Sequence, residues 1–175
     1  MQRKFMEPLK VGRQELRNRI ILAAMAKQLC TNGYIGKEYI EYCRTIAKGG
    51  TALITPGVMI VDPRWYGTHN QPFLCDDKYI PGLKRVIDAV HGEGAKFSCQ
   101  LWVPGHLPYG QKDYLELNGR ELVAVNYMSR EMIQETQQLF VEAARRCAEA
   151  GTDMIEWHMA HTYLPEQFYS PYFNR

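Results

Sequence analysis

Apolar residues along this chain follow two alternating rhythms. Short continuous runs at Ile20–Met25, Thr51–Thr55, Ala95–Trp102 and Asp153–Trp157 read as strands, each bounded by turn residues. Between them the apolar positions recur every three or four residues, the signature of amphipathic helices. The first helix is expected over Lys37–Lys48, with Tyr39, Ile40, Cys43 and Ala47 on one face and Gly49-Gly50 ending it. A second carries Pro81 near its start, where a missing N–H is harmless, and an apolar face of Ile80, Leu83, Val86, Ile87 and Val90; Gly92 and Gly94 close it. A third is capped by Ser129 and presents Met132, Ile133, Thr136, Leu139, Phe140, Ala143, Cys147 and Ala150 to the core. Two stretches break the rhythm: a loop with Asp62-Pro63-Arg64, and an irregular segment from Val103 to Met128 that holds Pro104, Gly105, Pro108, Gly110 and Gly119. Loops as long as the latter are usually functional or disordered.

Strands that alternate with helices make βαβ units and a parallel sheet, with right-handed crossovers placing the helices outside. Four strands and three full helices amount to about half of an eightfold barrel. A small doubly wound sheet fits the periodicity equally well. It is the less attractive reading because the first crossover lacks a G-x-G-x-x-G turn, and no P-loop or G-x-S-x-G occurs.

Composition narrows the class of function. A chain of 175 residues with 46% hydrophobic content can build a real core, either as one domain or as part of a larger one. The 21 basic and 19 acidic residues are interspersed, leaving a net charge of +2 and no basic stripe suited to nucleic acid or to a membrane surface. Met1–Pro8 has no apolar core of a signal peptide, and the longest strongly apolar run, Ile20 to Ala26, is too short to span a bilayer, which takes about 20 residues. A cytoplasmic location is the expectation. Cys30, Cys43, Cys75, Cys99 and Cys147 are odd in number and widely spaced, without C-x-x-C, so free thiols in a reducing compartment are expected. Ungrouped thiolates give no support for an iron–sulfur cluster.

Chemistry concentrates after the fourth strand, in Ile155-Glu156-Trp157-His158-Met159-Ala160-His161-Thr162-Tyr163-Leu164. Two imidazoles and a phenol stand at the C-terminal end of a parallel strand, where such folds bind ligands. Three readings are open from spacing alone. The groups could donate hydrogen bonds and a proton to one ligand; they could be a histidine pair satisfied inside a turn beside a packed tyrosine; or Glu156, His158 and His161 could hold a metal, since residues 156 and 158 share a strand face. The absence of a second ligand cluster leaves the metal reading unassigned.

Several segments, taken in order, resemble one family, the Old Yellow Enzyme-like NADH:flavin oxidoreductases, and within it the 2,4-dienoyl-CoA reductase and bile-acid enoate reductase branch. They are Phe5-Met6-Glu7-Pro8-Leu9-Lys10-Val11-Gly12, Leu16-Arg17-Asn18-Arg19-Ile20-Ile21, Ala47-Lys48-Gly49-Gly50, Ile80-Pro81-Gly82-Leu83-Lys84, Asp88-Ala89-Val90-His91, Gln100-Leu101-Trp102, Phe140-Val141-Glu142-Ala143-Ala144 and His158-Met159-Ala160-His161-Thr162-Tyr163-Leu164 with Gln167-Phe168 and Ser170-Pro171. The resemblance implies an FMN-containing (β/α)8 TIM barrel, of which residues 1–175 would be the N-terminal portion, about the first four β/α units. The family's flavin-phosphate loops, near strands seven and eight, would lie beyond Arg175.

It also implies roles. Hydride would pass from NADH or NADPH through flavin to the C=C of an α,β-unsaturated carbonyl compound. His158 and His161 match the family's paired donors to the carbonyl oxygen, and Tyr163 the residue that protonates the α-carbon. Gln100 resembles the glutamine on the flavin pyrimidine ring, Gly57 a glycine that lets backbone approach the flavin, and Ala24, Met25 and Ala26 the flavin-contact segment. The chain departs from the family pattern at Ala24, where proline is usual, and at Ala26, where threonine or cysteine is common. It departs also at Pro56 in place of glutamate, at Val103 and His106 in place of histidine and arginine, and at Thr162 in place of glycine. An alternative to the reductase is a non-catalytic half-barrel that forms a homo-oligomer or complements a C-terminal half, because a half-sheet leaves strand edges unpaired.

Overall fold

The structure, a computed structural model, describes residues 3–62, 70–104, 125 and 128–174. The chain opens with an antiparallel hairpin, β1 (Leu9–Val11) and β2 (Gln14–Leu16). Six further elements then build a parallel sheet backed by helices: β3 (Ile21–Leu22), α1 (Lys37–Lys48), β4 (Leu53–Ile54), β5 (Val58–Ile60), α2 (Ile80–Gly92) and β6 (Lys96–Trp102). They are followed by α3 (Arg130–Ala150), β7 (Met154–Trp157) and a short α4 (Leu164–Tyr169).

β6 is the organising strand. On one side it pairs with β4 through Lys96 and Phe97 and then with β5 through Gln100, Leu101 and Trp102; on the other it pairs with β7 from Ser98 to Leu101. β3 lies outside β4, and every pairing in this sheet is parallel. Phe97, Cys99 and Leu101 turn toward the helices and join Tyr39, Cys43, Leu83, Val86, Ile87, Val90, Ala143 and Cys147 in the main core. The alternate residues of β6 face the concave side of the sheet.

Helix boundaries follow local chemistry. α1 spans the range its periodicity predicts, with Tyr39, Cys43 and Ala47 buried at four-residue spacing. Ser129 Oγ accepts from Met132 N at 3.2 Å at the start of α3, and Gly151 ends that helix in the left-handed conformation. On the α3 face Thr136, Ala143, Cys147 and Ala150 are buried, whereas Met132, Ile133, Leu139 and Phe140 are only half-buried.

The strands are shorter than the apolar runs. Only Ile21–Leu22 of Ile20–Met25 forms a strand, and Thr51–Thr55 contracts to Leu53–Ile54. Sequence reading had no place for β5, which continues β4 after Thr55-Pro56-Gly57. Those three residues stand against only two of β6, Ser98 and Cys99, so they form a one-residue bulge. The hairpin and α4 were also unanticipated. The loop from Pro63 onward and most of the segment between Val103 and Met128, His106 included, lie outside the described residues.

The far end of the sheet is stapled by the Leu16-Arg17-Asn18-Arg19 segment. Arg17 donates to the carbonyls of Ala47 at 2.5 Å, Thr51 at 2.9 Å and Glu93 at 2.7 Å, tying the C-terminal ends of α1 and α2 together. Asn18 Nδ2 donates to Gly50 O at 2.8 Å. At the same end Asp153 accepts from Lys96 Nζ at 2.9 Å and Phe97 N at 2.9 Å, with His91 Nε2 at 2.6 Å. All five cysteines are free; Cys75 is half-buried and the other four are buried in the core.

Candidate active site

Beyond the C-terminal ends of β3, β5, β6 and β7 lies a cavity of about 760 Å³. Its walls include Ala24, Met25 and Ala26 after β3, Val58 on β5, Gln100 and Trp102 on β6, and Glu156, His158, His161 and Tyr163 from β7 and the turn beyond it. Ala24–Ala26, Gln100, His158, His161 and Tyr163 are thus brought to one cavity from three separate stretches of chain.

The turn after β7 does this by an unusual backbone. His161 and Thr162 both take left-handed φ, at 59° and 62°. Such a conformation is costly for a β-branched residue such as threonine. The start of α4 holds it: Glu166 Oε2 accepts from Thr162 N at 2.6 Å, and the fully buried Gln167 donates through Nε2 to Thr162 O at 2.7 Å. The chain therefore folds back, and His161 returns to the side of His158. Their ring centroids are 5.2 Å apart, and Tyr163 stands edge-on to His158 at 4.8 Å. Trp102 meets the other side of Tyr163 at 5.1 Å.

Protonation follows from position. Burial lowers the His158 pKa first, and the neighbouring His161 lowers it further, so the ring is neutral at pH 7. Its Nδ1 accepts from Ala160 N at 3.4 Å, which places the proton of the neutral ring on Nε2. His158 is thereby a hydrogen-bond donor without being a cation.

The profile of the NADH:flavin oxidoreductase / NADH oxidase family matches residues 4–175. The chain belongs to that family. Among curated relatives, it is 34% identical to a metal reductase of Desulforamulus reducens, over 96% of this chain and 26% of that protein. It is 31% identical to a 4,4'-dithiodibutanoate disulfide reductase of Rhodococcus erythropolis, over 97% of this chain and 43% of the relative. Among solved structures, Old Yellow Enzyme from Pichia sp. AKU4542 superposes with a TM-score of 0.84 at 24% identity, covering 98% of this chain and 50% of the other. A 2-naphthoyl-CoA reductase bound to 2-naphthoyl-CoA gives 0.86 at 26% identity, over 98% of this chain and 29% of that one. The chain spans about half, or less, of the relatives it matches. The fold is the family's TIM barrel, here as its N-terminal part.

Two features of this member were not foreseen. Gly57, expected to let backbone approach a flavin, does not line the cavity. At φ 130° it faces the backbone of Met25 and Ala26: a Cβ there would lie 2.7 Å from Met25 O and 2.9 Å from Ala26 N. Its glycine identity is explained by the bulge and by close packing against the Met25–Ala26 segment. The second is the pair formed by Gln100, which donates through Nε2 to Glu156 Oε1 inside the cavity. The register of β6 and β7 sets these two residues opposite each other. That pairing could be anticipated only once the sheet order was known. Among the described residues no group of three His, Cys, Asp or Glu side chains is set to hold a metal, which leaves the reading of Glu156, His158 and His161 as ligands without support. No described helix is long and apolar enough to cross a membrane.

The donor set suits an isoalloxazine. That ring is flat and apolar, with one hydrogen-bonding pyrimidine edge, and the walls offer small residues, Val58, Trp102 and the Gln100 amide. Among the described residues, no lysine or arginine lines the cavity.

Proposed function

We propose that this chain forms the ring-binding and proton-donating part of an FMN-dependent, NAD(P)H-driven reductase of activated alkenes. Ala24, Met25, Ala26 and Gln100 would contact the flavin. FMN, when bound, supplies hydride chemistry between a reduced nicotinamide and the acceptor. The relatives' names span metal, disulfide and aldehyde reductases, so membership alone leaves the acceptor open.

The observation that carries the alkene reading is the convergence of His158, His161 and Tyr163 on one cavity wall. In an α,β-unsaturated carbonyl compound, hydride arriving at the β-carbon drives negative charge onto the carbonyl oxygen. Two imidazole N–H donors at that oxygen stabilise the charge more than they stabilise the ground state. The Tyr163 hydroxyl then gives its proton to the α-carbon and regains one from water; a phenol can do this without prior ionisation. Neutral His158, with its proton on Nε2, meets the requirement for a donor.

Tyr163→Phe tests the reading in FMN-loaded protein. Flavin reduction by NADH or NADPH should keep its rate, while reoxidation by an enone should slow by about 100-fold or more, the usual scale for losing a general acid. Unchanged reoxidation by the enone would remove Tyr163 from the reaction.

A second reading, a complementing or self-associating half-barrel, is favoured by the apolar side chains on the outer strands. Ile21 on β3 and Ile155 and Trp157 on β7 are 54%, 46% and 52% exposed. Light scattering together with a visible absorption spectrum separates the two: a yellow protein with flavin bound favours the reductase, and a colourless oligomer favours the scaffold.

A further inference from the structure

Gln71 is a buried amide, only 3% exposed, that lines the cavity and makes no hydrogen bond among the described residues. An amide that lines a cavity and makes no hydrogen bond to the protein keeps its donors and acceptor open to a ligand that enters. The sheet register locates it. Ile60 bridges Phe73 in parallel, with Ile60 N donating to Pro72 O at 2.9 Å and Leu74 N to Ile60 O at 2.8 Å. Two residues before these bridged positions stand Val58 and Gln71, and both line the cavity. Val58 is the register partner of Gln100, and Gln100 that of Glu156. Val58, Gln100 and Glu156 thus form one layer of the sheet's concave face, and Gln71 lines the same cavity.

We infer that Gln71 is a second amide for the flavin ring, which would lie across Val58 with Gln71 and Gln100 at its polar edge. This rests on the flavin reading given above. The pyrimidine edge of an isoalloxazine presents a carbonyl, an N–H and a second carbonyl, so its full complement is donor, acceptor, donor. Gln100 cannot supply all three. One of its two amide N–H groups is committed to Glu156, which also fixes the flip of the amide. What remains is one acceptor, Oε1, and one donor. The Gln71 amide supplies the missing donor.

The test uses the chain itself with FMN as the probe, followed by quenching of flavin fluorescence, together with the assigned side-chain NH₂ signal of Gln71 in ¹⁵N–¹H spectra of the wild type. Gln71→Leu should weaken FMN binding about 10-fold, and the Gln71 NH₂ signal of the wild type should shift on adding FMN. Wild-type protein that binds FMN with no movement of that signal overturns the inference and leaves the flavin reading standing. So does a folded Gln71→Leu variant with unchanged affinity. If Gln71→Leu does not fold, the wild-type spectrum decides alone. Wild-type protein that does not quench FMN at millimolar concentration overturns the flavin reading and this inference with it.

Discussion

Gly57→Ala is the sharpest probe of how the cavity is built. The perturbation adds one methyl group at φ 130°, a conformation essentially open only to glycine, which costs on the order of 1–3 kcal/mol for any other residue. The new Cβ would also sit 2.7 Å from Met25 O, 2.8 Å from Met25 C and 2.9 Å from Ala26 N. Comfortable contacts of this kind lie near 3.5–4.0 Å, and all three neighbours are backbone atoms, which cannot rotate aside. Relief requires moving the Met25–Ala26 segment, the bulge, or both. The two effects together should lower stability by about 3 kcal/mol, a large share of the roughly 5–15 kcal/mol typical of a domain. With a urea slope of about 2 kcal/mol/M, the midpoint should fall by about 1.5 M at unchanged slope. Urea titration followed by far-ultraviolet circular dichroism measures this directly. Gly92→Ala is the control: a Cβ there meets nothing within 4 Å, and the residue lies in the last turn of α2, so the midpoint should hold or rise slightly. A fall of less than about 0.5 M for Gly57→Ala, roughly 1 kcal/mol, would refute the claim that glycine is required by the approach of Met25 and Ala26.

Two further outcomes follow from the same physical reasoning. Thr162→Gly should raise stability by about 1 kcal/mol by relieving left-handed strain in a β-branched residue, read as a higher midpoint in thermal melts; a lower midpoint would show that the turn is not strained. Asp153 loses solvation by burial, which pushes its pKa up, but the hydrogen bonds from Phe97 N, Lys96 and His91 outweigh this and hold it below its ordinary value. Because the folded pKa is depressed, the stabilisation is complete above the unfolded carboxylate value, about 3.9, and fades as pH falls through the folded one. Asp153→Asn should therefore cost about 2 kcal/mol at pH 7 and flatten the loss of stability below about pH 4. Equal acid sensitivity in variant and wild type would show that Asp153 does not carry it.

Much of the architecture is legible in one dimension because it is set by near neighbours. The α1 boundaries, the Ser129 cap and the Gly151 stop depend on residues within one turn of each other, and periodicity exposes them. The α3 face is narrower than its periodicity predicts at Met132, Ile133, Leu139 and Phe140, because the pattern shows which residues are apolar but not how far the neighbouring surface extends. Strands are shorter than the apolar runs for a related reason. An apolar run can serve a strand, a bulge or a cavity wall, and only pairing partners distinguish them. Ala24–Ala26 and the Thr55-Pro56-Gly57 bulge are both such cases.

The order of the residues on its own determined the alternation of strands and helices, the family, and the candidate groups for chemistry: His158, His161, Tyr163 and Gln100. Only the tertiary structure decided which of them meet and in what state. Lateral register set Val58, Gln100 and Glu156 in one layer, although they are distant in sequence, and folding brought Gln71 to the same cavity. Packing assigned Gly57 to Met25 and Ala26 rather than to the cavity, and burial made His158 a neutral donor. The physical reason is that hydrogen-bond pairing between strands and loss of solvent are properties of contacts distant along the chain, whereas propensity and periodicity report only on adjacent residues.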